Sequence, residues 1–194
     1  MIAYKGFAPG IRSVMGNGIK EKCSFSEGAT MEETESKTAK SGYHCCENPF
    51  ECLTYYAFDG KNRFFKVDAQ GDIDEDAQER IACTKITLLE ELTPVGFALE
   101  GMKYMVTHMD RERWQQDRGT VIVKPEEAEA REAGNIAIAR GKNPRVKGKP
   151  GSILGLLKED ARGWAAQAKV FIVKEEFADK WIRLGPSGGY EVEA

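Results

Sequence analysis

Long apolar runs are missing from this sequence, and so are the features of an exported chain. No apolar run approaches the roughly 20 residues that a membrane-spanning helix needs. The first ten residues lack the charged, apolar and small-residue zones of a signal peptide. Hydrophobic residues make up 41% of the chain and charged residues 30%, which is typical of a folded globular protein. We therefore expect a cytoplasmic protein with no membrane contact.

Cysteine pairs with metal-site or disulfide spacing are also missing. The five cysteines are odd in number, and none forms a CxxC pair. This pattern does not suit a secreted disulfide framework, so we expect reduced and mostly buried thiols. Adjacent Cys45 and Cys46 follow His44, but neighbours on a strand point to opposite faces and do not easily share one zinc ion. A reactive cysteine at this position, before a helix N-terminus, stays open as an alternative.

The remaining cofactor and catalytic motifs are incomplete or missing. Asp72, Asp74 and Asp76 resemble the start of a calcium loop. However, Ala77 replaces the glycine that the turn needs, and Cys83 replaces the final glutamate ligand. The sequence has no phosphate loop, no Rossmann glycine fingerprint and no serine elbow. We predict no metal site, no cofactor and no catalytic residue set.

In the first half, the patterns predict a mixture of strands and helices. Residues 2–7 and 82–89 are typical of strands, and residues 63–69 alternate in strand fashion before a turn at residues 70–72. Asn48-Pro49-Phe50-Glu51 has the cap, the first-turn proline and the acidic residue that start a helix, which we expect to run to about Phe58. Residues 94–116 have helical apolar spacing and form the strongest helix prediction.

In the second half, short β segments are predicted between glycines. Residues 119–123 indicate a strand, and the charged residues 125–133 indicate a helical turn or two. Residues 185–189 form a glycine-rich hairpin loop between the last two strands. The predicted β segments after residue 133 are residues 136–139, 152–157, 170–173, 181–184 and 190–192.

Together these elements predict an α+β fold with two lobes. The first is a mixed α+β lobe over residues 1–117, and the second is a smaller, mostly β lobe over residues 118–194. Charge follows the same division. Residues 1–100 contain 11 Lys and Arg against 17 Asp and Glu, whereas residues 101–194 contain 17 against 14. The lobes are therefore expected to present different surfaces.

A basic run in the second lobe is the predicted binding site. It contains five positive charges within ten residues and no acidic residue. Glycine and proline between the charges predict an exposed loop that contacts phosphates or an acidic protein surface. No aromatic residue is interleaved, so base stacking is not expected there. A loop that is merely solvated stays open as an alternative. The run consists of Arg140, Lys142, Arg145, Lys147 and Lys149.

Several segments resemble an uncharacterised domain family found in bacteriophages and prophages of gut bacteria. In the first half they are Tyr4-Lys5-Gly6-Phe7, residues 40–49 and Tyr55-Tyr56. Residues 135–148 and 151–157 resemble the C-terminal part of the same proteins, where short Ala/Gly-rich segments of β-solenoid type precede a strand-rich end. The resemblance implies one or two solenoid-like rungs and a terminal hairpin in residues 118–194. It implies no function.

The first lobe also resembles ADP-ribosyltransferases. Tyr4-Lys5-Gly6 is similar to their first NAD-gripping strand, and Gly42-Tyr43-His44 with the following helix and strand is similar to their second element. This resemblance implies nicotinamide stacking on Tyr43 or Tyr55. Lys5 departs from the family pattern, because it stands where arginine or histidine is expected and lacks the guanidinium fork. The late glutamate of that family is not fixed here.

The leading hypothesis is a non-enzymatic accessory protein of a phage or other mobile element. It is expected to bind and inhibit a host protein or ribonucleoprotein complex in the bacterial cytoplasm, as a counter-defence factor. A nucleic-acid-guided nuclease such as a CRISPR effector is one target of this kind. An acidic face would imitate nucleic acid, and the basic run would contact guide or target phosphates. An ADP-ribosyltransferase-like enzyme and a virion or structural module are the alternatives.

Overall fold

A computed structural model shows a mostly β protein, which corrects the predicted α+β class. The structure describes residues 1–13, 23–76, 80–109 and 114–193. Within these residues it has fourteen strands, one α-helix of 14 residues and two short 3-10 helices. The helix predicted after Asn48 is a single 3-10 segment, Pro49–Thr54, although Asn48 does cap it by accepting a hydrogen bond from the Phe50 amide.

The chain forms two compact units, Met1–Thr93 and Pro94–Ala194. The division falls 24 residues before the expected end of the first lobe at residue 117. The α-helix, α1 (Pro94–Thr107), belongs to the second unit and leaves the first without any α-helix in its described residues. This placement is the physical reason why the first lobe is not a mixed α+β structure. The predicted helix continued to residue 116, and its residues 110–113 lie outside the described residues.

The first unit is a small antiparallel barrel. β1 lies between β5 and β6 and pairs with both. β7 pairs with β6 on one side, and on its other side it pairs with β5 and with β4. β5, β1, β6 and β7 therefore close a ring. The barrel strands are β1 (Ile2–Phe7), β4 (Thr30–Glu32), β5 (Tyr43–Cys46), β6 (Arg63–Glu75) and β7 (Arg80–Glu91), while β2 (Arg12–Ser13) and β3 (Cys23–Ser24) form a separate two-stranded sheet.

Aromatic side chains fill the interior of this barrel. Phe7 packs against Phe25 at 4.9 Å and edge-on against Phe65 at 5.5 Å between ring centroids. Phe25 in turn meets Tyr43 edge-on at 5.6 Å. All four rings are buried, and such contacts add to the hydrophobic stabilisation of their burial.

The turn predicted at residues 70–72 is a bulge inside one long strand. β6 continues through Gly71 to Glu75, and its register against β7 shifts between Gln70 and Ile73. Gly71 has a φ of 76°, and a Cβ there would lie 2.2 Å from Thr84 Oγ1. Glycine therefore allows the strand to bend here instead of ending.

Three parallel strands form the centre of the second unit. Val121 of β9, Ile136 of β10 and Ile153 of β11 are aligned side by side, so each strand lies next to its successor as in consecutive solenoid coils. The elements after α1 are β8 (Gln116–Asp117), β9 (Val121–Ala130), β10 (Ile136–Gly148), β11 (Ile153–Glu159), β12 (Ala165–Ile172), the 3-10 helix Glu175–Phe177, β13 (Ile182–Leu184) and β14 (Tyr190–Val192).

The helical turn predicted for residues 125–133 is wrong, because most of this segment belongs to β9. Ala128 and Ala130 are buried, while Glu127 and Glu129 between them are exposed. This alternation of buried and exposed residues has the period of a strand, not of a helix. The glutamates suggested a helix only because they are favourable in isolated helices.

β10 bends in its middle and thereby joins two groups of strands. Its first half pairs with β11 in parallel, and its second half pairs with β13 in antiparallel orientation. The register against β9 shifts between Arg140 and Arg145, which marks the bend. β13 and β14 pair in antiparallel orientation on either side of residues 185–189, the segment where the sequence predicts a hairpin loop.

Candidate functional site

The predicted basic run does not form an exposed loop. Four of its five members lie on β10, and Lys149 follows directly after the strand. Arg140 is buried, and Arg145 and Lys147 are half-buried. The glycines and proline between the charges accommodate the bend of β10, so they do not mark a loop.

Acidic residues of β9, the strand that precedes β10 and pairs with it in parallel, neutralise the second half of this run. Arg145 lies opposite Glu127, and Lys147 lies opposite Glu129, in the parallel register of β9 and β10. The side chains form ion pairs at 2.6 Å and 3.2 Å respectively. Arg145 also pairs with Glu193 at 2.7 Å. Cross-strand pairs of opposite charge stabilise a sheet and leave little net potential for a phosphate.

The two ends of the run are also paired. The Arg140 guanidinium donates to the Glu159 carboxylate while lying 4.8 Å from the centre of the Trp114 ring. Lys149 pairs with Asp179 at 2.8 Å. Lys142 is exposed, and in the part of the chain that the structure describes no carboxylate lies within 4.0 Å of its ammonium. The run therefore contributes one unpaired cation instead of five.

Trp181 fixes two of these cations in place. Arg145 and Lys147 lie 4.7 Å and 5.0 Å from the centre of its ring. Cation–π contacts of this kind hold the charged groups against the protein. The tryptophan comes from a distant segment, so the local sequence around residues 140–149 contained no sign of it.

Carboxylates from two segments of the first unit lie close together. The loop after β4 lies against β6, because Ser36 donates to Asp72 at 3.1 Å and the Thr38 amide and hydroxyl both donate to Asp74 at 2.7 Å. Thr84 joins the two segments, since it accepts from the Glu33 amide and, through its hydroxyl, from the Asp72 amide. We call the carboxylates of these two segments, Glu33, Glu35, Asp72 and Asp74, the acidic face.

Little positive charge opposes the acidic face. Within the described ranges, none of its carboxylates has a cationic nitrogen within 4.0 Å, whereas neighbouring Glu32 is paired with Lys85 at 2.8 Å. Lys37 acts on Asp74 only through a weaker, longer-range attraction. The two hydrogen bonds from Thr38 lower the pKa of Asp74, which keeps this carboxylate ionised. The acidic first half is evident from the composition, but the local sequence does not show that residues 33–38 meet Asp72 and Asp74.

The segments that resemble ADP-ribosyltransferases lie in the barrel wall. β1 and β5 are hydrogen-bonded neighbours, paired at Tyr4 and Cys46, so no cleft separates them. The Lys5 ammonium is buried inside the barrel and donates to the His44 carbonyl at 2.5 Å. Tyr43 is buried, and its hydroxyl donates to the Glu32 carbonyl at 3.2 Å. Neither Lys5 nor Tyr43 presents a surface to a nucleotide.

Cys45 and Cys52 are buried, and both are poor nucleophiles, whereas Cys83, the buried hydrogen-bonding partner of Cys45, has a lowered pKa because of that hydrogen bond. A hydrogen bond with Cys83, followed by burial, raises the pKa of the Cys45 thiol well above its ordinary value. A hydrogen bond with Cys46 and burial do the same to the pKa of Cys52. Because the thiolate is the reactive form, these surroundings do not favour a nucleophilic cysteine.

A metal site needs several His, Cys, Asp or Glu side chains at one point. Nowhere in the described ranges do three or more such side chains converge as ligands for a metal ion. Ala77, which argued against a calcium loop, lies outside the described residues. Among the helices of the described ranges, none has the length and apolar character to cross a membrane.

The chain belongs to a family described as a domain of unknown function, DUF7666, whose model matches residues 1–100. The match covers the whole barrel unit and half of α1. No curated protein and no solved structure matches the chain significantly. The family description gives no link to phages and no likeness to ADP-ribosyltransferases, so these two interpretations stay predictions.

Proposed function

We propose that this chain is a non-enzymatic binding protein of a phage or other mobile element that inhibits a host macromolecular complex in the bacterial cytoplasm. One observation carries the proposal: the acidic face of the barrel unit is unneutralised, while the basic run of the second unit is paired almost completely. The partner surface is therefore basic. A channel that holds nucleic acid in a guided nuclease or another defence complex has this character.

The charge arrangement supports recognition by an acidic surface for a physical reason. The electrostatic potential of a charged group is not cancelled when the group has no ion-pair partner. Such a group attracts a surface of opposite charge and repels surfaces of like charge. Two rigid segments hold the acidic face, because Asp72 and Asp74 lie on β6 and their hydrogen bonds fix the loop that contains Glu33 and Glu35. A preordered surface loses less conformational entropy on binding.

The sequence predicts that the basic run is the binding site, but in this proposal it contributes little to binding. Its charges already have carboxylate partners, and a phosphate would have to displace them. Contact with guide or target phosphates is consequently limited to Lys142. Binding is expected to depend on carboxylates and not on this run.

The test is capture of a partner from a bacterial host lysate by the tagged full chain. A variant with Glu33→Gln and Glu35→Gln removes two charges of the acidic face and leaves the hydrogen-bonded Asp72 and Asp74 intact. The matched control, with Glu175→Gln and Glu176→Gln, removes two exposed charges elsewhere. Each capture is repeated after nuclease treatment, and the captured material is identified by mass spectrometry.

The proposal predicts one stoichiometric host complex that is retained by the wild type and the control, is lost from the acidic-face variant and is inhibited by the wild-type protein. Retention that survives nuclease treatment indicates direct contact with protein. Equal retention by both variants, or a captured complex that keeps its full activity, would contradict the proposal.

A further inference from the structure

A turn in the loop before β5 is attached to the barrel sheet on both sides of a buried alanine. His44 of β5 and Asp74 of β6 both pair with Ala82 of β7, so the two side chains lie on the same face of the sheet, about 10 Å apart. Consecutive residues of the turn span this gap. The Thr38 amide and hydroxyl donate to the Asp74 carboxylate, both at 2.7 Å, and the Ala39 amide donates to Nε2 of His44 at 3.0 Å.

The turn itself, residues 37–41, is closed by its own hydrogen bonds. The Lys37 amide donates to the Ser41 carbonyl at 3.1 Å, and the Ser41 amide donates to the Lys37 carbonyl at 3.0 Å. Ala39 at the tip has a φ of 62°, a left-handed conformation that residues other than glycine rarely adopt. Such a conformation persists where surrounding contacts maintain it, and the hydrogen bond from Ala39 to His44 is one of these contacts.

The hydrogen bond from Ala39 requires a neutral imidazole. Nε2 accepts only when it carries no proton, because both ring nitrogens of an imidazolium are donors. Burial is the largest cause that lowers the pKa of His44 below its ordinary value of 6.5. The Lys5 ammonium from β1 and the Arg80 guanidinium from β7 are the charged groups that act on the ring within the described residues, and both add to this effect. Nearby backbone carbonyls oppose it only in part.

We propose that His44 is a pH-sensitive switch that controls the order of the 37–41 turn. The neutral imidazole holds Ala39 at neutral pH, whereas the imidazolium that forms between about pH 6.5 and about pH 5 releases it. Asp74 does not titrate in this range, because the hydrogen bonds from Thr38 lower its pKa below the ordinary value of 3.8. Since Thr38 and Ala39 are consecutive, release of Ala39 also weakens the bonds from Thr38.

The switch also regulates the acidic face, a consequence that rests on the proposed function. The turn follows Glu33 and Glu35 in the chain, and Thr38 joins it to Asp74. A released turn gives this segment more conformational freedom, which is lost again on binding. The imidazolium also adds a positive charge on the side of the sheet that carries Asp74, and this charge repels a basic partner. Both effects weaken binding in weakly acidic solution.

The test is hydrogen exchange of the isotope-labelled full chain, followed by NMR from about pH 7.5 to about pH 5. Protection factors correct for the intrinsic pH dependence of exchange and report the order of each amide. We expect the protection of the Ala39 amide to fall at least about tenfold as pH decreases, and that of Thr38 to fall by a smaller factor. The Asn62 amide of the same unit is the internal control. Its hydrogen bond at 2.9 Å lowers the pKa of its acceptor, Asp59, which therefore stays ionised.

Two variants distinguish the acceptor from its titration. His44→Gln supplies an amide oxygen that accepts at every pH, so the protection of Ala39 should not change with pH. His44→Leu supplies no acceptor, so the protection should be low throughout while Asn62 keeps its own. A wild type whose Ala39 protection does not change with pH would overturn the proposal. So would a His44→Leu variant that protects Ala39 as well as the wild type, or an equal loss at Asn62, which would indicate unfolding of the whole unit.

Affinity for the purified host complex tests the regulation of the acidic face separately. We expect the wild type to bind at least about threefold more weakly at pH 5.5 than at pH 7.5, after division by the same ratio for His44→Gln. Equal pH dependence of the two proteins would overturn the regulatory role even where Ala39 is released. If no host complex is captured, the proposed function fails, and the exchange measurements still decide whether His44 controls the turn.

Discussion

The guanidinium of Arg145 lies 2.6 Å from the carboxylate of Glu127, its direct neighbour in the parallel pairing of β9 and β10. The same guanidinium reaches Glu193 and covers the Trp181 ring. A residue that the sequence assigned to phosphate binding is thus held in an intramolecular network. The following predictions test this network and the surfaces around it.

Removing the acidic partners should turn the basic run into an anion-binding surface. Glu127→Gln with Glu129→Gln leaves Lys147 without its partner and Arg145 with only Glu193. We expect stronger retention on heparin than for the wild type, with the unfolding free energy changed by less than about 1 kcal/mol per exposed pair. Heparin chromatography and thermal unfolding measure the two effects. A wild type that is retained as strongly as this variant would show that the ion pairs do not mask the run.

The acidic partners in this network lie outside the local sequence of the basic run. Residues 140–149 contain no acidic residue, and a window of that length predicts a free positive patch. The neutralising residues Glu127 and Glu129 lie on the preceding strand β9 and become neighbours only through parallel pairing. Arg145 and its partner Glu127 are 18 positions apart in the sequence, so a window confined to residues 140–149 does not contain both. Glu159, Asp179 and Glu193 are farther away still.

The bend of β10 should depend on the contact between Gly141 and Glu126. The Glu126 carboxylate accepts from the Lys142 and Asn143 amides at 2.9 Å and 3.0 Å. A Cβ on residue 141 would lie 2.2 Å from this carboxylate and displace it. We expect Gly141→Ala to lower the unfolding free energy by about 2 kcal/mol, the value of the charge-assisted hydrogen bonds that it breaks.

A double-mutant cycle separates this cause from general crowding. In a Glu126→Ala background the clash and the hydrogen bonds are both absent, so the further effect of Gly141→Ala should be smaller than in the wild type and reduce to the backbone strain of a side chain at a φ of 158°. Denaturant unfolding of the four proteins gives the coupling. Additive losses would mean that Glu126 does not hold the bend.

His44 should make stability depend on pH near neutrality. Burial and the nearby Lys5 ammonium lower the pKa of His44 below its ordinary value of 6.5, and its Nε2 accepts from the Ala39 amide at 3.0 Å. The unfolded chain therefore binds a proton at a higher pH than the folded chain. Stability is fully present above the unfolded pKa and falls as pH drops through the folded pKa. Unfolding free energies from about pH 7.5 to about pH 5.5 should decline in the wild type and stay flatter in His44→Gln.

The buried ammonium of Lys5 can be tested through the same histidine. Lys5→Met removes the positive charge that disfavours protonation of His44, so the pKa of His44 should rise. Titration of the imidazole by NMR measures the change. Lys40→Met, which removes an exposed lysine from the loop before β5, is the control and should leave the titration unchanged. An unchanged His44 titration in Lys5→Met would place the ammonium outside the barrel interior.

The described thiols should be protected in the folded protein. Cys45, Cys46, Cys52 and Cys83 are all buried. In a Cys23→Ser variant, a disulfide reagent at neutral pH is expected to label none of these thiols before unfolding and all of them in denaturant. Rapid labelling of one thiol in the folded state would restore the reactive-cysteine hypothesis.

The sequence predicted individual strands better than it predicted the fold class. Strand β1 and the last strand have the expected bounds, because clear turn residues flank both. The capped helix after Asn48 was expected to be longer than the observed 3-10 turn, although its cap is present. A capping motif specifies where a helix starts, but tertiary packing decides how far it continues.

The acidic face was accessible to sequence analysis only in part. Composition indicated an acidic first half. Ring closure by β7 and the hydrogen bonds from Ser36 and Thr38 bring residues 33–38 to β6, and these are non-local contacts that no periodicity reveals. The candidate site therefore depends on the topology of the barrel.

The most direct test of the proposed function is a side-by-side affinity measurement on the purified host complex captured by the wild type. One variant carries Glu33→Gln and Glu35→Gln, and the other carries Lys142→Gln and Lys147→Gln. We predict that the first weakens binding at least about tenfold at low salt, while the second changes it by less than about twofold. A loss of affinity confined to the lysine variant would contradict the account and return the binding site to the basic run.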